Sequence, residues 1–153
     1  MQAKYFPMTA RLLNALAWAS LIFTFLVFIL SYANFPEDVL IYIKANGEPS
    51  LYLGKDTVFY SILAITVIFN LGWLGLDGIV KRTTPDLEAT IGGLSVSRIG
   101  FNLFFATTIY FINILNSREN FDYSNFGYLI YITGALLIAA LIYTAVARFI
   151  LKK

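Results

Sequence analysis

Residues 57–80, TVFYSILAITVIFNLGWLGLDGIV, decide the fold of this chain. Asp77 is the only charged residue in this stretch, which is long enough to cross the roughly 30 Å of bilayer hydrocarbon as a helix. Comparable apolar stretches cover residues 11–33, 99–116 and 128–149. Backbone N–H and C=O groups must be paired inside hydrocarbon, and none of these stretches alternates as barrel strands do. The sequence therefore predicts four transmembrane helices.

The composition agrees with a membrane protein and argues against an enzyme. Hydrophobic residues make up 59% of the 153 residues and charged residues 13%, compared with about 25% charged residues in soluble domains. We expect an all-α integral membrane protein, with residues 1–153 forming one four-transmembrane-helix bundle. The chain has no Cys and no His, so thiol and histidine chemistry is excluded. We find no catalytic, metal-binding or phosphate-binding motif and therefore predict no enzyme activity, no metal site and no cofactor.

The distribution of Lys and Arg predicts the orientation in the membrane. Eight of these residues lie in the N-terminal tail, the second connection and the C-terminus, and three lie in the first and third connections. Because positive residues are retained in the cytoplasm, we expect both termini and a loop over residues 81–98 to be cytoplasmic, and residues 34–56 to be external. The topology explains the cations behind the net charge of +2, so this charge does not indicate a nucleic-acid partner. The predicted partners are membrane lipid and other membrane protein subunits, and no nucleic acid.

The connections carry short local patterns of their own. Residues 39–53, VLIYIKANGEPSLYL, have two β-prone stretches around Asn-Gly, which predicts a short external hairpin. Within it the predicted partner-binding residues are Tyr42, Lys44, Glu48 and Tyr52. In the cytoplasmic loop, Leu87, Ile91 and Leu94 fall at helical spacing, which suggests a short interfacial helix; a flexible connection is the alternative.

Small and polar residues indicate where the second helix meets its neighbours. Gly72 and Gly75 would allow another backbone to approach closely, and Asn70 would form a hydrogen bond across that contact. Asp77 precedes Lys81 by four residues, so we expect the two side chains to form an ion pair at the interface.

The third helix has a row of amides. Asn102, Asn113 and Asn116 share one helical face and are expected to point into the bundle. We predict that Asn102 and Asn113 pack against other helices; a hydrophilic permeation path is the alternative. The first helix is expected to face lipid, apart from Asn14 and Ser20.

The first connection also supports a family resemblance. Residues 35–39, FPEDV, are followed by residues 45–49, ANGEP, and by Lys55, which opens the next helix. This pattern resembles the small bacterial membrane domain of unknown function found at the N-terminus of SdpI-type immunity proteins. The resemblance covers residues 25–75, and Pro36, Gly47, Pro49 and Lys55 would occupy the family's positions. It implies a shared membrane module with an external loop, and a place in the bacterial inner membrane.

Two departures limit what the resemblance implies. Where the family often has a His in the loop, this chain has Leu40 and Tyr42, so a role for that His does not carry over. SdpI-type immunity proteins also have additional helices after this domain. Toxin immunity therefore does not follow from the resemblance by itself.

Three functions are compatible with the sequence. The first is a non-catalytic membrane protein that acts by binding, as an accessory subunit of a larger membrane complex or as an immunity-like sensor. The alternative is an element of an oligomeric transporter or channel, with Asn70, Asn102 and Asn113 lining a path and Asp77 at its inner mouth. A membrane enzyme using carboxylates of the loops comes third. The sequence leaves the partner, the ligand and the oligomeric state open.

Overall fold

Four long helices and two short strands make up the described part of the chain. The computed structural model describes residues 8–44, 47–83, 88–117 and 124–150. The elements in chain order are α1 (Met8–Asn34), β1 (Asp38–Ile43), β2 (Pro49–Gly54), α2 (Lys55–Thr83), α3 (Glu88–Leu115) and α4 (Ser124–Ile150). Within these ranges, four helical segments are long and apolar enough to span a membrane: Ala10–Asn34, Lys55–Arg82, Gly92–Leu115 and Gly127–Val146. The fold therefore agrees with a multi-pass membrane protein.

The connection between α2 and α3 is much shorter than predicted. The prediction of a loop over residues 81–98 is wrong, because α2 continues to Thr83 and α3 already begins at Glu88. Ile91 and Leu94, assigned to a separate interfacial helix, belong to the first turns of α3, and Leu87 lies outside the described residues. Gly92 and Gly93, residues of low helix propensity, also lie within α3.

Helix α3 is the central helix, and its glycines bring α4 close to it. A Cβ added at Gly93 would lie 2.8 Å from Thr144 Oγ1 and 3.2 Å from Thr144 Cα. A Cβ added at Gly100 would lie 3.3 Å from Leu137 Cα, again on α4. Only glycine therefore fits without a shift of the neighbouring helix, and this packing offsets the low helix propensity of both residues.

Helix α1 packs along α3 through a stripe of small and polar side chains. Ala17, Ser20, Thr24, Phe28 and Ser31 are buried and recur every three to four residues, as one face of a helix does. The expectation that α1 mainly faces lipid is therefore wrong for this face. Its other face, which includes Ile22, Ile29 and Leu30, is exposed.

The chain between α1 and α2 forms a two-stranded sheet, so the fold is not purely α-helical. Strands β1 and β2 pair antiparallel, with Val39 opposite Leu53 and Leu40 opposite Tyr52. Gly47 has a φ of +84°, a conformation that costs glycine little. Residues 45–46 of the connection lie outside the described residues.

The sheet rests on an apolar core at one end of the helices. Val39 of β1 is fully buried and belongs to a cluster with residues of the helices and of the chain that follows α1: Phe28, Phe35, Val58, Ile62 and Ile109. The side chain of Asn116, just beyond α3, fixes β1 from outside the pair. Its Oδ1 accepts a 2.7 Å hydrogen bond from the Leu40 N–H, and its Nδ2 donates to the Leu40 carbonyl at 2.9 Å.

Candidate functional site

A chain of polar side chains links α1, α2 and α3 inside the bundle. Arg98 Nε donates to Asn70 Oδ1 at 2.8 Å, and Asn70 Nδ2 donates to Asn102 Oδ1 at 3.0 Å. Asn102 Nδ2 then donates to Ser20 Oγ at 3.0 Å. Arg98 is 4% exposed and Asn102 is 0% exposed, so neither side chain has access to solvent at the bundle surface. We call these four residues the polar chain.

The chemistry of the guanidinium group fixes the direction of every bond in the polar chain. An Arg side chain can only donate, so the Asn70 oxygen must face Arg98. The Asn70 amide nitrogen is then left to donate to Asn102 Oδ1, and to the Thr66 carbonyl at 2.9 Å. The Asn102 nitrogen in turn faces Ser20, whose hydroxyl donates to the Ala17 carbonyl at 2.8 Å. Both amides therefore have one consistent orientation.

Arg98 is the least expected member of this site. It lies about 15 Å along the axis from the first residue of α3 and inside the segment long and apolar enough to span the membrane. The ring of Trp18 lies 4.3 Å from its guanidinium carbon, in a cation–π arrangement. A charged residue within a membrane span is costly and therefore indicates a functional site by default.

Asp77 is an acidic residue that lines the same cavity as Arg98. One of its oxygens accepts a hydrogen bond from Lys81, so the predicted ion pair at this end of α2 is confirmed. The other oxygen, Oδ1, is buried and has no hydrogen-bond partner in the described part of the chain. Among the described residues, the Asp77 carboxylate is therefore paired with Lys81 and lines one cavity with Arg98.

Two cavities adjoin Arg98. The smaller, about 20 Å³, is lined on α2 and α3 by Trp73, Asp77 and Arg98 among others. The larger, about 140 Å³, is a groove between α1 and α2 with mostly apolar walls, which include Phe25, Val67 and Leu71. The groove has Arg98 in common with the smaller cavity and also reaches Asn70 of the polar chain.

The structure brings together some of the predicted packing residues and separates others. Asn70 and Asn102 are buried and bond to each other, a pairing that the sequence did not predict. Asn113 is half-buried, and its side chain has no hydrogen bond to another described residue. Gly72 and Gly75 are exposed, and no atom of another described element lies within 4 Å of an added Cβ. Within one copy of the chain, the prediction of a close helix contact at these two glycines is therefore wrong.

The predicted partner-binding residues lie on or between the two strands. Tyr42 and Tyr52 are exposed by 57% and 53%. Lys44 and Glu48 form an exposed ion pair of 3.8 Å at the turn. Such a pair contributes little to stability, because both charges stay in contact with solvent.

Sequence reasoning did not identify Arg98 and Thr24 as site residues, and it noted Ser20 only as a polar exception on the first helix. Sequence reasoning counted Arg98 among the cations of the cytoplasmic loop, because Arg98 immediately precedes the apolar stretch 99–116. Ser20 and Thr24 resemble tolerated hydroxyls in an apolar helix, yet Thr24 Oγ1 lies 2.9 Å from the Asn102 carbonyl oxygen of α3. The spacing Ala17, Ser20, Thr24 was the signal available, since small and hydroxyl residues at intervals of three and four mark a helix contact.

The apolar core separates the polar chain from the two-stranded sheet. One turn further towards the strands, Thr24 is followed by Phe28 on α1, and Thr66 is preceded by Ile62 on α2; both are buried. Polar side chains therefore do not cross one copy of the chain from end to end in the part that the structure describes. The arrangement can hold a charge and bind hydrogen-bonding groups on one side of this core, and the transport alternative requires an oligomer.

Comparisons with known proteins identify no relative. No family model matches this chain, and no curated protein or solved structure matches it. The resemblance of residues 25–75 to the domain of SdpI-type immunity proteins therefore stays a prediction. The fold defines the class, a protein with four helices long and apolar enough to span a membrane.

Proposed function

We propose that this protein is a non-catalytic integral membrane protein that acts by binding another membrane protein through its two-stranded sheet. It would serve as an accessory subunit of a larger membrane complex, or as an immunity-like or sensor protein. One observation carries the proposal: β2 is exposed over nearly its whole length and pairs with a single strand.

The two strands differ in how they are held. The outer side of β1 is occupied by Asn116, and Val39 and Leu40 are buried against the helices. Strand β2 has no second neighbouring strand among the described residues, and its Leu51 and Tyr52 are exposed. Firm anchoring of one strand presents the other in a fixed position, which lowers the entropy cost of binding.

An open strand edge next to aromatic side chains suits a protein partner. Unpaired N–H and C=O groups at a sheet edge can accept an additional strand, and the flanking side chains then provide specificity. Tyrosine is enriched among residues that dominate binding energy at interfaces. Tyr42 and Tyr52 would supply the contacts, and Lys44 and Glu48 would form the charged rim.

The proposal is tested by purifying the tagged protein in mild detergent from native expression levels and identifying what co-purifies. We expect a defined partner at a fixed ratio, which the double substitution Tyr42→Ala and Tyr52→Ala releases. Tyr131→Ala is the matched control, because Tyr131 is an exposed tyrosine on α4, away from the sheet. A lone monomer or homo-oligomer, or a partner that survives the double substitution, would contradict the proposal.

The cellular location forms part of the same proposal. The excess of Lys and Arg in the tail, the second connection and the C-terminus supports termini on the cytoplasmic side and a sheet on the external side. The resemblance of residues 25–75 supports the bacterial inner membrane. A sheet on the external side would meet partners or toxins that approach from outside the cell membrane.

A further inference from the structure

Three buried polar atoms next to the polar chain have no hydrogen-bond partner among the residues that the structure describes. They are Trp73 Nε1, Asp77 Oδ1 and Arg98 Nη2, from neighbouring positions of α2 and α3. Each such atom costs on the order of 1–3 kcal/mol when it is buried without a hydrogen bond. Three of them on residues that line one cavity indicate a site for a bound molecule rather than three separate defects.

All three residues line the same small cavity. This partly open cavity has a volume of about 20 Å³ and is lined by residues of three helices, namely Asn14, Trp73, Leu74, Asp77, Leu94, Ser95 and Arg98. A cavity needs roughly 10–15 Å³ to hold one water molecule, and that water needs two to four polar partners. The cavity meets both conditions and is too small for an organic ligand.

The polarity of the three atoms selects the occupant. Trp73 Nε1 and Arg98 Nη2 can only donate, whereas the ionised Asp77 Oδ1 can only accept. A metal cation does not fit this site, because it would be repelled by the two N–H donors. An anion does not fit either, because it would be repelled by the Asp77 carboxylate. A neutral molecule with two lone pairs and a hydrogen to donate satisfies all three atoms, and water has this pattern.

We propose that Trp73, Asp77 and Arg98 hold one water molecule that accepts from the indole and the guanidinium and donates to the carboxylate. This water joins the ion pair of Asp77 and Lys81 to Arg98, and so extends the polar chain to the end of α2. Lys81 is exposed there. Arg98 is thereby connected to the aqueous phase on the Lys81 side, while the apolar core under the sheet closes the other side.

This connection explains how a cation is kept within a membrane span. A charge without hydration or a counter-charge is unstable in hydrocarbon, and local water access lowers that cost. The site is independent of the proposed binding through the sheet, which lies at the opposite end of α2. Either proposal can therefore fail without the other.

The wild-type protein in lipid bilayers provides the test. Solid-state NMR of a ¹⁵N-labelled sample measures how quickly magnetisation passes from water protons to individual side-chain nitrogens. We expect Trp73 Nε1 and Arg98 Nη2 to receive it earlier than Asn102 Nδ2, which is fully buried and bonded to Ser20. Equal or later transfer to Trp73 and Arg98 would overturn the proposal, as would transfer from the protons of a co-purified molecule instead of water.

A substitution separates the bound water from general exposure of this region. Trp73→Phe keeps an aromatic ring but removes one of the two donors, so early transfer to Arg98 Nη2 should be lost. Leu76→Ala, at an exposed position of the same helix, is the matched control and should leave the transfer unchanged. Early transfer that persists in Trp73→Phe would contradict a water held by these three residues. If Trp73→Phe does not fold, the wild-type comparison with Asn102 decides the question.

Discussion

Replacing Asn102 by leucine should destabilise the protein, whereas the same change at Asn113 should not. Both residues lie on α3 in the same apolar stretch. Asn102 is fully buried and its side chain bonds to Asn70 on α2 and to Ser20 on α1. Asn113 is half-buried, and its side chain has no hydrogen bond to another described residue. The pair of variants therefore compares one amide that joins three helices with one that joins none.

The size of the effect follows from the bonds removed. Asn102→Leu removes two interhelical bonds of 3.0 Å. Each such bond in a membrane protein contributes about 0.6 kcal/mol on average and about 1.7 kcal/mol at most. Burying leucine gives little in return, because lipid is as apolar as the bundle interior. We expect a loss of about 1–3 kcal/mol for Asn102→Leu and a change within about 0.5 kcal/mol for Asn113→Leu.

The assay is reversible unfolding in mixed detergent micelles, followed by the loss of helical circular dichroism. A double-mutant cycle with Asn70→Leu isolates the bond between the two amides, and we expect a coupling of about 0.5 kcal/mol or more. Equal costs for Asn102→Leu and Asn113→Leu, or a coupling near zero, would refute the view that the polar chain holds the helices together. In the transport alternative, the same variants would change flux without a matching loss of stability.

Three further predictions concern packing, the sheet and the topology. Gly93→Ala should destabilise the protein by about 1–3 kcal/mol, because α4 leaves no room for a methyl group, whereas Gly75→Ala should be neutral or stabilising in a monomer. Unfolding measurements on both variants test this prediction, and equal effects would contradict it. Asn116→Ala should remove about 1–3 kcal/mol and speed up hydrogen exchange at the Leu40 amide, since both bonds to β1 are lost; unchanged exchange would show that β1 is held by other contacts. Because the chain has no Cys, a Ser50→Cys variant and a cysteine added at the C-terminus can be labelled with a membrane-impermeant thiol reagent; we expect them to react from opposite sides, and reaction from one side would overturn the topology.

Sequence reasoning placed most helices well but failed where tertiary contacts override local signals. The apolar stretches predict the existence of all four helices, because length and hydropathy are local properties. The predicted start of the third helix, Ile99, lies eleven residues after the observed start at Glu88, because the apolar stretch begins only after Arg98. Gly93 lowers the helix propensity of this segment when the segment is considered alone. In the fold, Gly93 lies against α4, whose backbone occupies the space that a side chain at this position would need.

The candidate site was only half predictable for the same kind of reason. Asn70 and Asn102 are identifiable from the sequence, because an amide in an apolar helix needs a partner. The sequence does not say that they bond to each other, because they are 32 residues apart. Arg98 was counted with the loop cations, and its place beside Trp18 and Asn70 depends on the crossing of three helices.

The sequence by itself determined the class of this protein, its helical segments and the absence of Cys and His chemistry. These properties follow from composition and from runs of apolar residues. Such a run predicts a helix that can span a membrane whatever residues lie elsewhere in the chain. Only the tertiary structure decided which polar residues meet, which glycines lie at a helix contact and which strand remains open. Those features depend on how α3 is placed against the other helices, and a bond such as that of Asn102 to Ser20 joins residues 82 positions apart.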